Sequence, residues 1–434
     1  MNSTQLAISP STSQQVVRRG SLVNRFARRV ILDRLSRIDS GRLEIRESGI
    51  AATSVGDSQH GGTELTIDID EASFYRRLVS GGSLEAGATY IDGLWSANDL
   101  MELIRLFIRN ESVLQTVDRG LARWTSWIPR LWHRLRRNTV QGSRRNISEH
   151  YDLGNEFFEL FLDETMSYSS AVFPTENASL HEASVHKLDR ICRKLDLQPT
   201  DHLLEIGTGW GGLAIHAASN YGCRVTTTTI SREQHDLARS RIEAAGVADR
   251  VSLLLKDYRH LEGSYGKLVS VEMIEAVGHE HLATYFNTCS ELLKPDGLML
   301  IQAITMPDQR YADYIRSVDF IQRYVFPGGC LPSLGAIVDS IRRRTDLRML
   351  HFEELAPHYA QTLAHWRTRF FERIAEVRRQ GYSERFIRLW EYYLCYCEAA
   401  FRERVVGSAQ LVFAKAAARH DPLAVPLPVA SAQQ

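Results

Sequence analysis

The chain has 434 residues, enough for two or three domains, and its 52 basic and 52 acidic side chains balance. This balance excludes the global positive field that attracts nucleic acid, so we expect no nucleic-acid partner. No apolar run reaches the roughly 18 residues of a membrane span, the N-terminus lacks a signal-peptide pattern, and six scattered cysteines are typical of a reduced, cytoplasmic protein.

The N-terminal part of the chain is predicted to form a small α+β domain over residues 16–117. Residues 1–15 are polar and are predicted to be disordered. Residues 22–38 follow as a basic amphipathic helix with Val23, Phe26 and Ile31 on its apolar face. Alternating apolar residues predict strands at 43–45 and 64–68, and short helices follow between 74 and 108. This domain contains no chemical motif of its own.

Residues 118–145 form a basic segment that contains eight arginines and no acidic residue between Arg119 and Arg145. Between Trp124 and Arg137, tryptophan, leucine and arginine alternate at helical spacing, which is typical of a helix lying on an anionic membrane surface. Two other interpretations stay open because Pro129 interrupts the helix. One is an arginine-rich linker whose tryptophans pack between domains. The other is a site for single-stranded nucleic acid, which also binds arginine and aromatic side chains.

Residues 146–415 are predicted to form the catalytic domain, followed by a disordered tail over 416–434. Apolar runs at 203–206, 223–230, 251–257, 267–272 and 298–304 alternate with helical segments. That alternation predicts an α/β fold with a parallel, doubly wound sheet. Outside these strands, Phe157, Phe158 and Phe161 are expected to be a buried stripe, Trp390 and its helical neighbours to be core, and Val412 with Phe413 to be an edge strand.

The first strand of this domain ends in a glycine-rich turn, EIGTGWGG at residues 205–212. A strand, a glycine turn and a helix bring backbone close to an adenosine-type ligand. The following strand, 223–230, ends without the carboxylate of a dinucleotide site, and no Lys-Ser/Thr pair follows the glycines, which excludes a P-loop. The acidic residue is instead Glu205, which suits the cationic ligand S-adenosylmethionine.

Several further motifs occur in a fixed order along the chain. They are HYDLGN at 150–155, YSS at 168–170, EIGTGWGG at 205–212, TISREQ at 229–234, DYR at 257–259, EMIEAVG at 272–278, YVFPGGCLPS at 324–333 and WEYY at 390–393. The glycine turn resembles the first motif of class I methyltransferases. The whole set closely resembles the cyclopropane-fatty-acyl-phospholipid synthases and their mycolic-acid relatives over residues 145–414. The resemblance implies a class I methyltransferase Rossmann-like fold with helical insertions.

The resemblance also implies which residues bind S-adenosylmethionine. Tyr151, Tyr168 and Ser169 would close over its methionine end, and the glycines would admit the ligand to the backbone. Polar groups at the next two strand ends would hold ribose and adenine. The cofactor-binding set is Tyr151, Tyr168, Ser169, Glu205, Gly207, Gly209, Thr229, Gln234, Asp257 and Tyr258.

The reaction that the resemblance implies is methylation of a cis double bond in a phospholipid acyl chain. Proton loss from the new methyl group then closes a cyclopropane ring. In the family a bicarbonate ion is the base, held by a glutamate, a tyrosine, a histidine and backbone near a cysteine. Glu275, Tyr359 and the backbone carbonyl of Ile304 match this set, whereas Ser170 replaces the cysteine and Gln302 the histidine. Both replacements can still bind an anion.

These two departures leave the product open between a cyclopropane and a methyl- or methylene-branched chain. A small-molecule N-methyltransferase is the alternative from another substrate class, and a lipid-binding scaffold with an inactive domain is the non-enzymatic one. The expected partners are unsaturated phospholipid acyl chains and an anionic membrane surface, which would make the protein peripherally membrane-associated; the sequence leaves a homodimer open. No metal site is predicted, because His279-Glu280-His281 lacks HExxH spacing.

Overall fold

The computed structural model describes residues 22–57, 64–111 and 153–419. The described residues divide into two compact units, one of 22–57 with 64–99 and one of 100–111 with 153–419. The predicted disordered N-terminus, the basic segment 118–145 and Tyr151 lie outside the described residues. Within the described ranges, no helix is both long and apolar enough to cross a membrane.

The smaller unit contains a four-stranded sheet and two helices. Its elements are α1 (Leu22–Leu35), β1 (Gly41–Glu47), β2 (Ile50–Asp57), β3 (Leu65–Ile69), α2 (Ser73–Ile91) and β4 (Trp95–Ala97). The strand order is β2-β1-β3-β4, with β1 and β3 parallel and the outer pairs antiparallel. The predicted alternation in β1 is confirmed, because Leu43 and Ile45 are buried. The predicted apolar face of α1 is only partly buried: Ile31 is covered, whereas Val23 and Phe26 are exposed.

The larger unit begins with α3 (Leu100–Arg109) and continues after residue 152. Its helices are α4 (Asn155–Glu159), α5 (Leu180–Lys194), α6 (Gly212–Tyr221), α7 (Arg232–Ala244), α8 (Leu282–Leu292), α9 (Asp308–Tyr314), α10 (Phe320–Tyr324), α11 (Leu334–Arg344), α12 (Ala356–Glu372), α13 (Ile374–Arg379) and α14 (Glu384–Arg402). Its strands are β5 (His202–Ile206), β6 (Arg224–Thr229), β7 (Val251–Leu255), β8 (Tyr265–Val271), β9 (Leu293–Thr305), β10 (Arg348–Glu354) and β11 (Gly407–Ala414).

The seven strands form one sheet in the order β10-β11-β9-β8-β5-β6-β7. The strands from β9 to β7 are parallel, and β11 runs antiparallel to both of its neighbours. This arrangement confirms the predicted doubly wound sheet. The order reverses between β5 and β8, and open sheets of this kind bind ligands beyond the carboxyl ends of the strands at such a point. The prediction that Val412 and Phe413 form an edge strand is wrong, because β10 pairs with β11 and covers it.

Alternating side chains of the parallel strands feed two apolar clusters. Leu204 and Ile206 of β5 belong to one cluster with α8 and α11, and Leu203 belongs to the other with α5 and α6. Helices therefore cover both sheet faces, as parallel sheets require. The predicted phenylalanine stripe is confirmed, since Phe157, Phe158 and Phe161 are each 0% exposed.

Two boundaries differ from the sequence-based ones. Helix α3, which the sequence placed in the small domain, packs against α14, and Arg105 of α3 donates to Glu403 at 2.7 Å. The amphipathic surface of α3 is thus buried by the larger unit. Residues 416–419, which the sequence assigned to a disordered tail, contact the domain, because the Ala417 amide donates to the Pro295 carbonyl at 3.0 Å.

Candidate active site

The turn after β5 combines left-handed backbone with open space. Gly207, Gly209 and Gly211 have φ of 104°, 52° and 86°, a region that side chains with a Cβ rarely adopt. A Cβ at Gly209 would meet no atom within 4 Å, whereas one at Gly212 would lie 2.6 Å from the carbonyl oxygen of Thr165. Gly212 is therefore required by packing, and Gly209 borders a space that a ligand can enter.

Glu205 places a buried carboxylate at the end of β5. Its side chain is 3% exposed, and its Oε2 accepts a hydrogen bond from the Thr227 hydroxyl at 2.5 Å. Burial raises the pKa of Glu205 to about 8, and the bond from Thr227 offsets only part of that rise. A cation beside this carboxylate would restore its charge, so the position fits the ammonium of a methionine moiety.

The ends of β6 and β7 carry the predicted ribose and adenine residues. Thr229 donates to the side-chain oxygen of Gln234 at 2.9 Å, and the Ser231 hydroxyl caps α7 by accepting from the Gln234 amide at 3.2 Å. The Asp257 carboxylate is paired with Arg259 at 2.8 Å. Although burial opposes ionisation, hydrogen bonds from Arg259 lower the pKa of Asp257 below its usual value. These residues line the carboxyl edge of the sheet beside the β5 turn.

The ring of Tyr258, the other predicted adenine residue, packs edge-on against Tyr285 with 5.4 Å between ring centroids. Tyr168 and Ser169 enter from the segment before α5. The hydroxyls of Tyr168 and Tyr393 lie 2.9 Å apart, and the Ser169 hydroxyl accepts from the buried ammonium of Lys187 at 3.0 Å. Burial lowers the pKa of Lys187, and nearby carboxylates oppose this. Sequence reasoning missed Lys187.

A second cluster lies at the carboxyl ends of β8 and β9, and its centre is Glu272. The Ser170 amide and the Gln302 side-chain nitrogen each donate to Glu272 Oε1 at 2.8 Å, and the Tyr359 hydroxyl donates to Oε2 at 2.7 Å. The structure thus brings together Ser170, Gln302 and Tyr359, as predicted. The carboxylate that these three residues bind is Glu272, which the sequence analysis did not select.

Glu275, the predicted glutamate of this cluster, has different partners. Its Oε1 accepts from the Ile304 amide at 2.6 Å, and its buried Oε2 has no hydrogen-bond partner among the described residues. The backbone group of Ile304 that reaches the site is therefore its amide nitrogen, whereas the sequence analysis named its carbonyl. Burial, with the adjacent charge of Glu272, raises the pKa of Glu275 to about 8.

The orientation of Gln302 is fixed by a buried chain of hydrogen bonds. The Lys194 ammonium donates to the Gln410 side-chain oxygen at 2.7 Å, and the Gln410 nitrogen donates to the Gln302 oxygen at 3.0 Å. Because its oxygen is engaged, the Gln302 nitrogen must point to Glu272. Gln302 and Gln410 are both 0% exposed in otherwise apolar strands, and that contrast is the signal in the sequence that could have predicted their pairing.

One further group has metal-ligating side chains. Asp163, Glu164 and His181 bring their ligand atoms within 4.8 Å of one another. Glu164 and His181 are exposed, and the His181 ring nitrogen lies 2.9 Å from Glu164 and 3.2 Å from Asp163. Hydrogen bonding within the group accounts for this arrangement.

Comparison with known proteins identifies the family. The model of mycolic acid cyclopropane synthetase matches residues 138–411. The chain belongs to the mycolic acid cyclopropane synthetase family. It is therefore an enzyme, an S-adenosylmethionine-dependent methyltransferase of the cyclopropane synthase type that acts on fatty-acyl lipids.

Two relatives show how far this membership extends. Tuberculostearic acid methyltransferase of Mycobacterium tuberculosis is 39% identical over 383 residues, covering 86% of this chain and 88% of that protein. Cyclopropane-fatty-acyl-phospholipid synthase of Escherichia coli is 35% identical over 367 residues, covering 82% of this chain and 89% of that protein. The similarity to both relatives spans most of each chain, although their names describe different products.

Solved structures agree with the fold of this cyclopropane synthetase family member. The cyclopropane synthase MmaA2 from Mycobacterium tuberculosis superposes with a TM-score of 0.59 at 30% identity, over 63% of this chain and 98% of that one. The mycolic acid cyclopropane synthase CmaA1, complexed with SAH and CTAB, gives 0.59 at 29% identity over the same shares. Coclaurine N-methyltransferase gives 0.58 at only 19% identity over 76% of this chain and 99% of that one, which shows a shared fold alone.

Proposed function

We propose that this protein transfers the methyl group of S-adenosylmethionine to the cis double bond of an unsaturated phospholipid acyl chain, after which the intermediate loses a proton. The observation that supports this proposal is a partly buried carboxylate cluster, Glu272 with Glu275, beside the turn at Gly207. A Cβ at Gly207 would lie 3.3 Å from the Cβ of Met273, so the two sites adjoin. Methylation of an alkene leaves a cation that needs a base, and this cluster supplies one.

The residues around the β5 turn fit the cofactor. Glu205 would hold the cationic methionine end, Gly209 leaves space for the ligand, and Gln234 and Asp257 lie where ribose and adenine would follow. Bound S-adenosylmethionine supplies an electrophilic sulfonium methyl group. Lys187 and Glu205 are electrostatically coupled, since each favours the charged form of the other against the effect of burial on its pKa.

Aromatic side chains would shield the cationic intermediate from water. The ring of Tyr168 lies 5.2 Å from that of Phe158 and 5.1 Å from that of Trp366, and the Tyr168 hydroxyl meets Tyr393. Aromatic faces attract cations, and their bulk excludes water that would capture the intermediate as an alcohol. An acyl chain matches such a lining better than a soluble amine does.

The proton can be lost in two ways. Loss from the newly added methyl group, with a new carbon–carbon bond, closes a cyclopropane, which is the product in the family's description. If a hydride first shifts to the cationic carbon, loss from the same methyl group gives a methylene branch. A branched acyl chain is the second candidate product. It is favoured by Ser170 and Gln302, which replace the cysteine and histidine of the cyclopropane synthase pattern, and by 39% identity to a tuberculostearic acid methyltransferase.

Proton NMR of lipid from cells that express the chain tests this function. Cyclopropane methylene protons resonate upfield of all other chain protons, and vinylidene protons resonate downfield. We expect one of these signals, accompanied by a mass gain of one CH₂. A saturated methyl branch would give neither signal, and its formation would require a reductant to reduce the methylene group. If the protein is folded and binds the cofactor but the lipid of these cells is unmodified, acyl-chain methylation is contradicted. Such a result would favour the alternative of a small-molecule N-methyltransferase.

A further inference from the structure

The hydrogen-bond donors around Glu272 are already occupied by the carboxylate of Glu272 itself. The resemblance assigns a separate bicarbonate ion to a set of donors that includes Tyr359, residue 302 and backbone at residue 170. In this structure all three donate to Glu272, at 2.7, 2.8 and 2.8 Å. The remaining two members are Glu275 and the Ile304 backbone, and the Ile304 amide donates to Glu275 Oε1 at 2.6 Å. The residues present therefore do not fit a separate bicarbonate ion.

The backbone of Glu272 is held in a conformation that glutamate rarely adopts. Its φ is 49°, in the left-handed region, and its amide donates to the Gln302 carbonyl at 2.8 Å. Such strain costs on the order of 1–3 kcal/mol and persists where the surroundings over-determine it, most often at functional sites. A glycine would adopt this backbone without strain, and would leave a space the size of a carboxylate between the three donors.

The hydrogen bonds distinguish the two oxygens of Glu272. Oε1 accepts two bonds, from Ser170 and Gln302, which occupy both of its lone pairs. Oε2 accepts one bond, from Tyr359, and keeps one lone pair. Burial raises the pKa of Tyr359 well above its usual value, so that its hydroxyl stays a donor. Oε2 is thus the one atom of this carboxylate that can accept a proton.

We propose that the Glu272 carboxylate takes the place of bicarbonate and is itself the proton acceptor of the reaction. This inference rests on the proposed function. In the step, a C–H bond of the transferred methyl group breaks and its electron pair forms the new carbon–carbon bond. The proton moves to Glu272 Oε2 and passes later to water. Burial also raises the pKa of Glu272 towards the range of an effective base, against the hydrogen bonds from Tyr359 and Gln302.

Two substitutions separate this role from a structural one. In buffer freed of carbon dioxide, Glu272→Gly should lower turnover by about 100-fold or more, and added sodium bicarbonate should restore it by at least about tenfold. Glu272→Gln should lose about as much activity without recovery, since its amide fills the space but accepts no proton. The wild type should be indifferent to bicarbonate. Glu280→Gly, at an exposed position in the same loop, is the matched control and should behave like the wild type.

Binding provides a readout that does not depend on turnover. Carbon-13 NMR of labelled bicarbonate should show broadening with Glu272→Gly and none with the wild type or with Glu272→Gln. Bicarbonate that stimulates or binds the wild type would overturn the proposal, as would Glu272→Gly that keeps full activity without bicarbonate. The NMR comparison holds even if the wild type modifies no lipid, so failure of the proposed function is recognised separately by the absence of lipid product.

Discussion

Gln302 and Gln410 face each other across β9 and β11, with the Gln410 side-chain nitrogen 3.0 Å from the Gln302 side-chain oxygen. The Lys194 ammonium donates to the Gln410 oxygen at 2.7 Å, so it fixes the orientation of Gln410. Gln410 in turn fixes the Gln302 side-chain nitrogen as a donor to Glu272. A histidine at position 302 could present either a donor or an acceptor to Glu272, depending on its tautomer, whereas Gln302 presents a donor. The interaction between strands therefore orients the Gln302 amide that donates to Glu272, and it makes Gln410 a positioning residue.

Gln410→Leu should reduce both stability and turnover. The free energy of unfolding should fall by about 1–3 kcal/mol, because the buried Gln302 oxygen would lose its hydrogen-bond donor and Lys194 would keep only its ion pair with Glu353. Gln302 could then rotate its oxygen towards Glu272, which would raise the pKa of that carboxylate and move the acid limb of the pH–turnover profile upward. Chemical denaturation and a pH profile measure these effects. Gln380→Leu, at an exposed position, should change neither; an unmoved profile for Gln410→Leu would assign it a structural role alone.

Gly209→Val should abolish measurable binding of S-adenosylmethionine. The new side chain would fill the open space at the β5 turn and would also strain a backbone with φ of 52°. Gly246→Val is the control for strain, because Gly246 has φ of 68°, equally open surroundings and a position at the opposite end of the sheet, before β7. Isothermal titration should show affinity lost in the first variant and retained in the second. Equal affinities would remove the cofactor from this turn.

The cofactor-free protein should lose stability as pH rises from about 5 to 8. Glu205 has a folded-state pKa of about 8 against an ordinary value of 4.5, so its protonated form favours folding below pH 4.5 and this contribution disappears on passing pH 8. One such group contributes at most about 1.4 kcal/mol per pH unit. In Glu205→Gln the decline of Tm over this range should be smaller, and in Glu243→Gln, at an exposed position, it should be unchanged. Identical declines in all three proteins would place the titration elsewhere.

Charge reversal at Arg134, Arg136 and Arg137 should weaken attachment to anionic vesicles. These positions lie outside the described residues, and the prediction rests on their sequence pattern with Trp124, Trp127 and Trp132. Each arginine near an anionic surface contributes about 1 kcal/mol, and salt should diminish the effect. Cosedimentation with vesicles of anionic and of neutral lipid measures it. Equal sedimentation of wild type and variant would favour the linker interpretation of 118–145.

The sequence by itself determined the fold class and most of the cofactor turn. Glycines at 207 and 209, an apolar strand before them and a helical pattern after them predict this structure locally, since each signal lies within about ten residues. The phenylalanine stripe at 157–161 was equally local. The roles of individual residues in cofactor binding remain predictions from the resemblance.

Only the tertiary structure decided which carboxylate meets which donors. Glu272 and Glu275 are three residues apart in one motif, and no local pattern says that Glu272 turns towards Tyr359, 87 residues away, while Glu275 turns towards the Ile304 amide. The backbone at Glu272 is left-handed, with φ of 49°, and a contact distant in sequence holds it there, since its amide donates to the Gln302 carbonyl at 2.8 Å. The same reason explains why β11 lies inside the sheet, because the pairing with β10 that covers it depends on contacts more than 50 residues apart.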